Sequence, residues 1–554
     1  MAQKKPGAPL LVTRPKAPWL VMLYLAGDNS LTEEMVLALQ ALQAEGPPEG
    51  DAIVAQFDPS GVGLFTQRYD FSNISPGSQG TSLDTYLVAT PDLESNTGNP
   101  GTLRDFVRWA YGKYGKDRRL LLILSGHGSG ATEDFLMKDE ASMDSLTIQE
   151  LSEVLTDLTK TVTKRKIDVL GMDACYMAMG EIAYQIRDSV DYLVAAEGLE
   201  PAFGWPYGRI LATAKAWRAN TGRPMPPRDL AEAIVKEYVR YYSDYDRSAG
   251  RSSDLAAMDL REVAGVKKRF DQLVDALAKA AKNDPTTHDT LVLAHWYAQT
   301  YKADQFVDLK DLCGQIGQRI ADPGVRTACS DVETALSKCV VRSECSGYAV
   351  QYSHGFSVYF PWGVVSPDYK NQDFTKNNNW YRFLESHIRA TRRDPRYPQQ
   401  QTFWPTLKKS DSFATVVRKR LSKLNRLLTT ARRAAKQAAS PTSSRPIRIQ
   451  FSSTPLPLER ATATQMASVA LVPVAGVSMY RRFLNAKEYV AQADIPAEDV
   501  GVIFANRILR GSAVSTRRSR HSDRSRHSDR SRALEDRETW VKNLPPVIGT
   551  ANWP

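Results

Sequence analysis

The chain has 554 residues, of which 42% are hydrophobic and 24% charged, and a formal net charge of +10. That length exceeds what one ordinary core accommodates, so two or more domains are expected, and the longest apolar run near the start, Trp19–Ala26, is too short to cross a bilayer. Five cysteines, an odd number with no CxxC pair, argue against a structural zinc site and suit a reducing compartment. No small-residue cleavage pattern follows the apolar run, and the chain reads as cytoplasmic.

Residues 1–17 read as a flexible N-terminus. From Trp19 to about Trp362, short apolar runs alternate with amphipathic helical patterns, which is the signature of an α/β sheet flanked by helices. The expected strands are Trp19–Ala26, Ala52–Phe57, Leu120–Gly126, Ile167–Asp173 and Asp191–Gly198. Their nearly continuous apolar character implies burial on both faces and largely parallel pairing. Between them, Thr102–Tyr114 sets Leu103, Phe106, Val107 and Ala110 on one helical face. Thr147 and Glu150 form a capping box for a helix carrying Ile148, Leu151, Val154, Leu155 and Leu158. Helical patterns dominate from Pro227 to Ile320, and Tyr348–Trp362 reads as two strands about a Ser-His-Gly turn, expected to return to the sheet.

The composition changes beyond residue 395, where most of the excess positive charge lies, so an α/β domain over 18–395 is expected to carry an appended basic region. Leu407–Gln437 holds ten basic residues against one acid, Asp411, with Phe413, Val416, Val417, Leu421, Leu424 and Leu428 at helical spacing. Residues 396–510 are therefore expected to form a basic helical and mixed region. Residues 511–554 form an Arg/Ser/His-rich tail containing the repeat HSDRSR, whose composition predicts disorder.

Chemistry is concentrated at two strand ends. The stretch LLILSGHGSG, Leu121–Gly130, passes from a saturated apolar run to a histidine set between glycines. Ligands of open parallel sheets gather beyond the carboxyl ends of the strands. His127 lies one residue past such an end, and Cys175 lies two past another, 48 residues on. An imidazole within reach of a thiol promotes the thiolate and can later protonate a leaving amine. Gly126 and Gly128 permit a sharp bend, and the amides of Gly128 and Cys175 are candidate oxyanion donors. If the backbone stays extended, Asp173 points the same way as Cys175, where its charge attracts a basic substrate side chain. Each residue also has a plain structural reading: Cys175 as a small buried hydrophobe, His127 as a satisfied loop residue, Asp173 as the cap of a helix starting near Tyr176.

Gly171–Tyr207, GMDACYMAMGEIAYQIRDSVDYLVAAEGLEPAFGWPY, resembles the nucleophile segment of the clostripain family of cysteine peptidases, and LLILSGHGSG resembles its histidine segment. Further echoes follow in family order: WLVMLYLAGDNSL near the start, DLAAMDL at Asp254–Leu260, FVDLKDL at Phe306–Leu312 and GFSVYFPW at Gly355–Trp362. Together they cover about residues 18 to 390. The resemblance implies a caspase-like fold, mostly parallel, with Cys175 as nucleophile and His127 as acid/base. It also implies hydrolysis after Arg or Lys, with Asp173 at the floor of the specificity pocket and Glu197, Glu200 and Asp28 as further substrate-binding candidates. One departure is Ala196-Glu197-Gly198-Leu199-Glu200, where the family commonly carries Ser-Glu-Glu or Ser-Gln-Glu. Another is the lack of a recognisable export signal, which speaks against an extracellular degradative role.

The resemblance further implies self-cleavage in the linker between histidine and cysteine, for which Lys138 is the first candidate, on what reads as an exposed acidic loop. Calcium activation within the family makes Glu133, Asp134, Asp139, Glu140 and Asp144 candidate oxygen ligands for Ca2+, with no cofactor strictly required. For the basic C-terminal region, nucleic acid, an acidic partner protein, and capture by the chain's own active site all stay open. The expected function is a narrow-specificity peptidase acting on one partner protein in a stress or defence response. The rival is a catalytically silent recruitment module of the same fold.

Overall fold

The computed structural model describes residues 17–393 apart from 62–63, 75–81, 91–94, 133–135, 250–251, 303–304, 348, 362–364 and 377. The basic region and the tail expected beyond residue 395 lie outside the described residues, as do most of the expected flexible N-terminus and the candidate calcium ligands Glu133 and Asp134.

The strands in chain order are β1 (Trp19–Gly27), β2 (Ala52–Pro59), β3 (Gln67–Asp70), β4 (Leu87–Ala89), β5 (Arg119–Ser125), β6 (Leu136–Asp139) and β7 (Asp144–Leu146). They continue as β8 (Ile167–Asp173), β9 (Val190–Ala195), β10 (Ser253–Asp259), β11 (Thr300–Tyr301), β12 (Phe306–Asp308), β13 (Val340–Ser346) and β14 (Ser357–Tyr359). Nine of them form one sheet in the order β13-β10-β9-β8-β5-β1-β2-β3-β4. The five strands read from the sequence are its interior, β2-β1-β5-β8-β9, and every pairing among them is parallel. The edges, β3 with β4 on one side and β10 with β13 on the other, are antiparallel.

Both faces of the interior strands are covered, which is why their sequences run apolar without alternation. Leu20, Met22 and Tyr24 of β1 join Leu120, Leu122 and Leu124 of β5 in one core, beneath the helices Pro100–Tyr114 and Ile148–Asp157. Val21, Leu23 and Leu25, with Leu121 and Ile123, face the opposite core beneath Tyr207–Thr221 and Pro227–Ala249. The two-residue period of the strand separates these sets. The Thr147 capping box is formed: Glu150 N donates to Thr147 Oγ1, and Thr147 N donates to Glu150 Oε2, both at 3.0 Å.

One expected element is corrected. Among the described residues of Tyr348–Trp362 only Ser357–Tyr359 is a strand, and it pairs with β12 in a separate three-stranded antiparallel sheet instead of rejoining the main one. The place at the sheet edge is taken by β13, which follows β10 in an antiparallel register from Ser253↔Ser346 onward. Gly355, at φ 87°, turns the chain in close contact with Ala256 and Ser343, where a Cβ would stand 2.4 Å from Ala256 Cβ. That left-handed turn, packed on β10 and β13, directs the following residues onto β12.

Candidate active site

The parallel register places Ser125 opposite Asp173 at the ends of β5 and β8, so His127 and Cys175 each lie two residues beyond one paired position. Adjacent strands in a sheet run about 4.8 Å apart, which confines both residues to one rim. The strand-end contact continues past the ladder. Gly126 N donates to Asp173 O at 3.2 Å, and the Gly128 backbone passes so close to Cys175 that a Cβ would stand 2.7 Å from the Cys175 carbonyl oxygen. A side chain at 128 would separate the two segments.

After Asp173 the chain bends and does not stay extended. Tyr176 holds a left-handed φ of 65°, a conformation a bulky residue keeps only when its surroundings enforce it. Here Tyr176 N donates to Gly198 O at 2.9 Å and Ala178 N to Ala196 O at 2.8 Å. The next helix starts at Gly180, so capping a helix near Tyr176 is not the role of Asp173. The bend leaves Cys175 partly exposed, with Glu200 N donating to its Sγ at 3.3 Å.

Burial raises the Cys175 thiol above its ordinary pKa; the Glu200 amide opposes the rise, and the charges of Asp173 and Asp254 add to it. Burial lowers His127, the Lys138 charge lowers it further and Glu140 works against both. The resting site is therefore a neutral thiol and a neutral imidazole. His127 Nε2 lies 3.1 Å from Ser30 Oγ, and its carbonyl accepts Met137 N at 3.0 Å, which ties the loop to the turn after β1 and to β6.

Asp173 is buried on the other side of the bend. Its Oδ2 accepts Tyr207 OH at 2.6 Å, Ser125 Oγ at 2.9 Å and Trp205 N at 3.3 Å. Gly204, at φ 65°, lets the backbone approach: a Cβ there would meet Asp173 Oδ2 at 2.8 Å. Glu200 joins this group, with Oε2 accepting Trp205 Nε1 at 3.0 Å and Oε1 buried without a protein donor. Burial and the neighbouring Asp173 charge hold the Glu200 carboxyl well above the usual range, and burial also raises Asp173, with the hydrogen bonds from Tyr207, Glu200, Ser125 and Trp205 N working against the rise.

The remaining candidates are placed differently. Asp28 is buried and accepts Ala141 N at 2.8 Å, pinning the turn after β6. Glu197 is fully buried and accepts Gly355 N at 2.7 Å. Lys138 is not on a loose loop: it belongs to β6, pairs with Glu140 at 2.8 Å, and its carbonyl accepts Asn29 Nδ2 at 2.8 Å. Of the acids considered for calcium, Asp139 is buried and accepts Thr97 N and Ser142 N, and Asp144 accepts Asn96 Nδ2 and Ser145 N. No group of three or more His, Cys, Asp or Glu among the described residues could hold a metal ion. The described acids thus do not fit a calcium site. No helix of the described residues is long and apolar enough to cross a membrane.

Sequence reasoning did not single out Ser30, Ser125, Trp205, Tyr207 or the Glu200 amide. The nearest signal was Trp205-Pro206-Tyr207 closing the nucleophile segment.

Clostripain from Hathewaya histolytica is 24% identical over 321 residues, covering 50% of this chain and 59% of the length of that relative. Among solved structures, an inactive zymogen C11 protease from Parabacteroides distasonis aligns with a TM-score of 0.48 at 19% identity, over 65% of this chain and 98% of its own. A secreted C11 cysteine protease from Bacteroides thetaiotaomicron, in complex with an irreversible peptide inhibitor, aligns with a TM-score of 0.48 at 17% identity, over 67% of this chain and 99% of its own. The family model of the clostripain family matches residues 77–387, more than half of the sequence, and the chain belongs to that family.

Proposed function

We propose that the chain is a cysteine endopeptidase that cleaves after Arg or Lys, with Cys175 as nucleophile and His127 as acid/base. The observation that supports this reading is the pairing of Ser125 with Asp173 at the ends of β5 and β8, which starts the His127 and Cys175 segments from adjacent strand ends beside the buried Asp173 and Glu200. His127, neutral at rest, takes the Cys175 proton, and the thiolate attacks the substrate carbonyl carbon. The electron pair moves to the carbonyl oxygen, where the amides of Gly128 and Cys175 are the candidate donors. As the tetrahedral species collapses, the imidazolium gives its proton to the departing amine and a thioester remains. Water, deprotonated by His127, then attacks the thioester and releases the carboxylic acid and the thiol.

Specificity follows from charge. The buried Asp173 and Glu200 carboxyls, sharing one proton between them, leave one negative charge for a guanidinium or ammonium to meet. The same field repels an acidic residue before the scissile bond. Self-cleavage at Lys138 requires the β6–β7 ribbon to open, because that peptide bond is held in place by Asn29. Action on one partner protein in the cytoplasm, in a stress or defence response, with the basic C-terminal region recruiting that partner, extends this reading.

Arg-, Lys- and Asp-reporter peptides test the proposal on the full chain. Hydrolysis of the first two only, lost in Cys175→Ala and His127→Ala, is expected. Cleavage that persists in Cys175→Ala, or acceptance of the Asp reporter, contradicts it. Intact masses of the same preparations read self-processing: two fragments in the parent and one chain in Cys175→Ala.

A further inference from the structure

We propose that Asp254 is a positioning residue for Cys175, acting by fixing the turn that aims the Glu200 amide at the Cys175 sulfur. The inference rests on the reading of Cys175 as the nucleophile. Asp254 lies in β10, is 1% exposed, and takes no part in the chemistry described above. Its Oδ2 accepts Glu197 N at 2.8 Å and its Oδ1 accepts Gly198 N at 3.0 Å, so one carboxylate holds two consecutive amides. The fit is close, since a Cβ on Gly198 would stand 2.7 Å from Asp254 Oδ1.

The held turn reaches the nucleophile from two directions. Gly198 O accepts the amide of Tyr176, the residue after Cys175, and so supports its left-handed backbone. Two residues past Gly198, Glu200 N donates to Cys175 Sγ. That donor is a backbone amide, so its aim depends on the path of residues 197–200 and not on any rotamer. Asp254 is the side chain that sets the start of this path.

The neighbourhood shows that the arrangement is maintained against an electrostatic cost. Glu197 Oε2 accepts Gly355 N, Asp308 accepts His354 N at 2.5 Å, and His354 Nδ1 lies 3.2 Å from Asp308 Oδ1. Three buried carboxylates thus gather behind the turn. Burial pushes Asp254 up to about 7, with the two amides opposing and Asp308 adding, while Glu197 is held well above the usual range by burial, Asp308 and Asp254. A carboxylate in this setting is expensive to ionise, and its acceptor geometry is the evident return.

Two effects of Asp254 on Cys175 have opposite signs, and this makes its role measurable. Through space, its charge raises the thiol pKa; through the turn, it sustains the Glu200 hydrogen bond that lowers it, and the hydrogen bond is the larger of the two. If positioning dominates, removing Asp254 makes the thiol harder to ionise. A bystander charge predicts the reverse.

The experiment measures alkylation of Cys175 by iodoacetamide against pH in the full chain. It is read on the tryptic peptide 167–187, which contains no other cysteine. The fully buried Cys313 reports folding in the same digest by staying unmodified. Asp254→Asn is expected to slow Cys175 alkylation at pH 7 about tenfold and to move its profile to higher pH. Gly198→Ala, which wedges the turn off Asp254 while keeping every charge, is expected to do the same. Alkylation at the parent rate or faster in Asp254→Asn, with Cys313 protected, overturns the proposal, as does an unchanged rate in Gly198→Ala. If Asp254→Asn exposes Cys313, Gly198→Ala decides alone. Alkylation needs no substrate, so failure of the peptidase reading, a parent chain that hydrolyses nothing, is told apart from failure of the positioning effect, an unchanged alkylation profile in the variants.

Discussion

Gly128→Ala probes the strand-end geometry without altering any polar group. The new Cβ would stand 2.7 Å from Cys175 O, 3.0 Å from Ala174 Cβ and 3.2 Å from Met177 Sδ. A relaxed carbon–oxygen contact needs roughly 3.3 Å, so the two segments must part by about 0.6 Å. The Met177 side chain can give way, but the Cys175 carbonyl belongs to a backbone held by Tyr176 N and by β8. Overpacking of this kind costs about 1–3 kcal/mol of stability. Displacement by about 1 Å at a reacting centre costs on the order of a hundredfold in rate, so a loss of about tenfold or more in kcat/KM is expected for an Arg reporter. The assay pairs steady-state hydrolysis with a urea unfolding curve on the same preparation. A variant that keeps kcat/KM within twofold of the parent would refute the close approach of the Gly128 and Cys175 segments as a requirement for turnover.

Asp173→Asn removes the charge beside Glu200 while keeping the size of the side chain. It is expected to raise KM for Arg and Lys reporters far more than it lowers kcat for a small neutral thioester substrate, and equal losses on both would show that Asp173 serves the fold and not selection. Stability should also fall on acidification. His387 is buried against His288, its Nδ1 3.0 Å from that of His288, and burial together with the His288 and His295 charges lowers its pKa well below the ordinary value. The unfolded chain therefore binds the proton first, and the stability tied to keeping this ring neutral is complete above about pH 6.5 and is lost as pH falls below it. His387→Phe, whose ring would continue the stack on Phe383, is expected to flatten the drop in melting temperature between about pH 7.5 and 5.5, and an identical drop in the two proteins would contradict this assignment.

The interior of the sheet was legible because burial on both faces writes itself into sequence as unbroken apolar runs, and all five such runs became the parallel strands β1, β2, β5, β8 and β9. The edges carried a weaker signal. Gln67–Asp70 is polar, and Val340–Ser346 is half-buried throughout and follows directly on the helix Pro323–Cys339, so nothing local announced a strand. Tyr348–Trp362 has strand-like composition, but which sheet it joins depends on the turn at Gly355, a packing outcome invisible to periodicity. The site divided along the same line. Cys175, His127 and Asp173 stand at strand ends, where topology predicts ligands. The Glu200 amide is a backbone group with no residue signature, and Asp254 acts through contacts distant in sequence. Lys138 looked like part of a loop because its neighbours are acidic, while its place in β6 is fixed by hydrogen bonds to Asn29 and across to β7.

The account stands on one sulfur acting as the nucleophile. A peptide with Arg at its carboxyl end, carrying an acyloxymethyl ketone, offers that sulfur a carbon to attack, and peptide mapping of the labelled full chain reads the adduct. One equivalent on the peptide 167–187, blocked by prior excess of an Arg substrate and absent in His127→Ala at neutral pH, is the predicted result. Label found on Cys345 or on no cysteine, in a chain that still hydrolyses the Arg reporter, would contradict it.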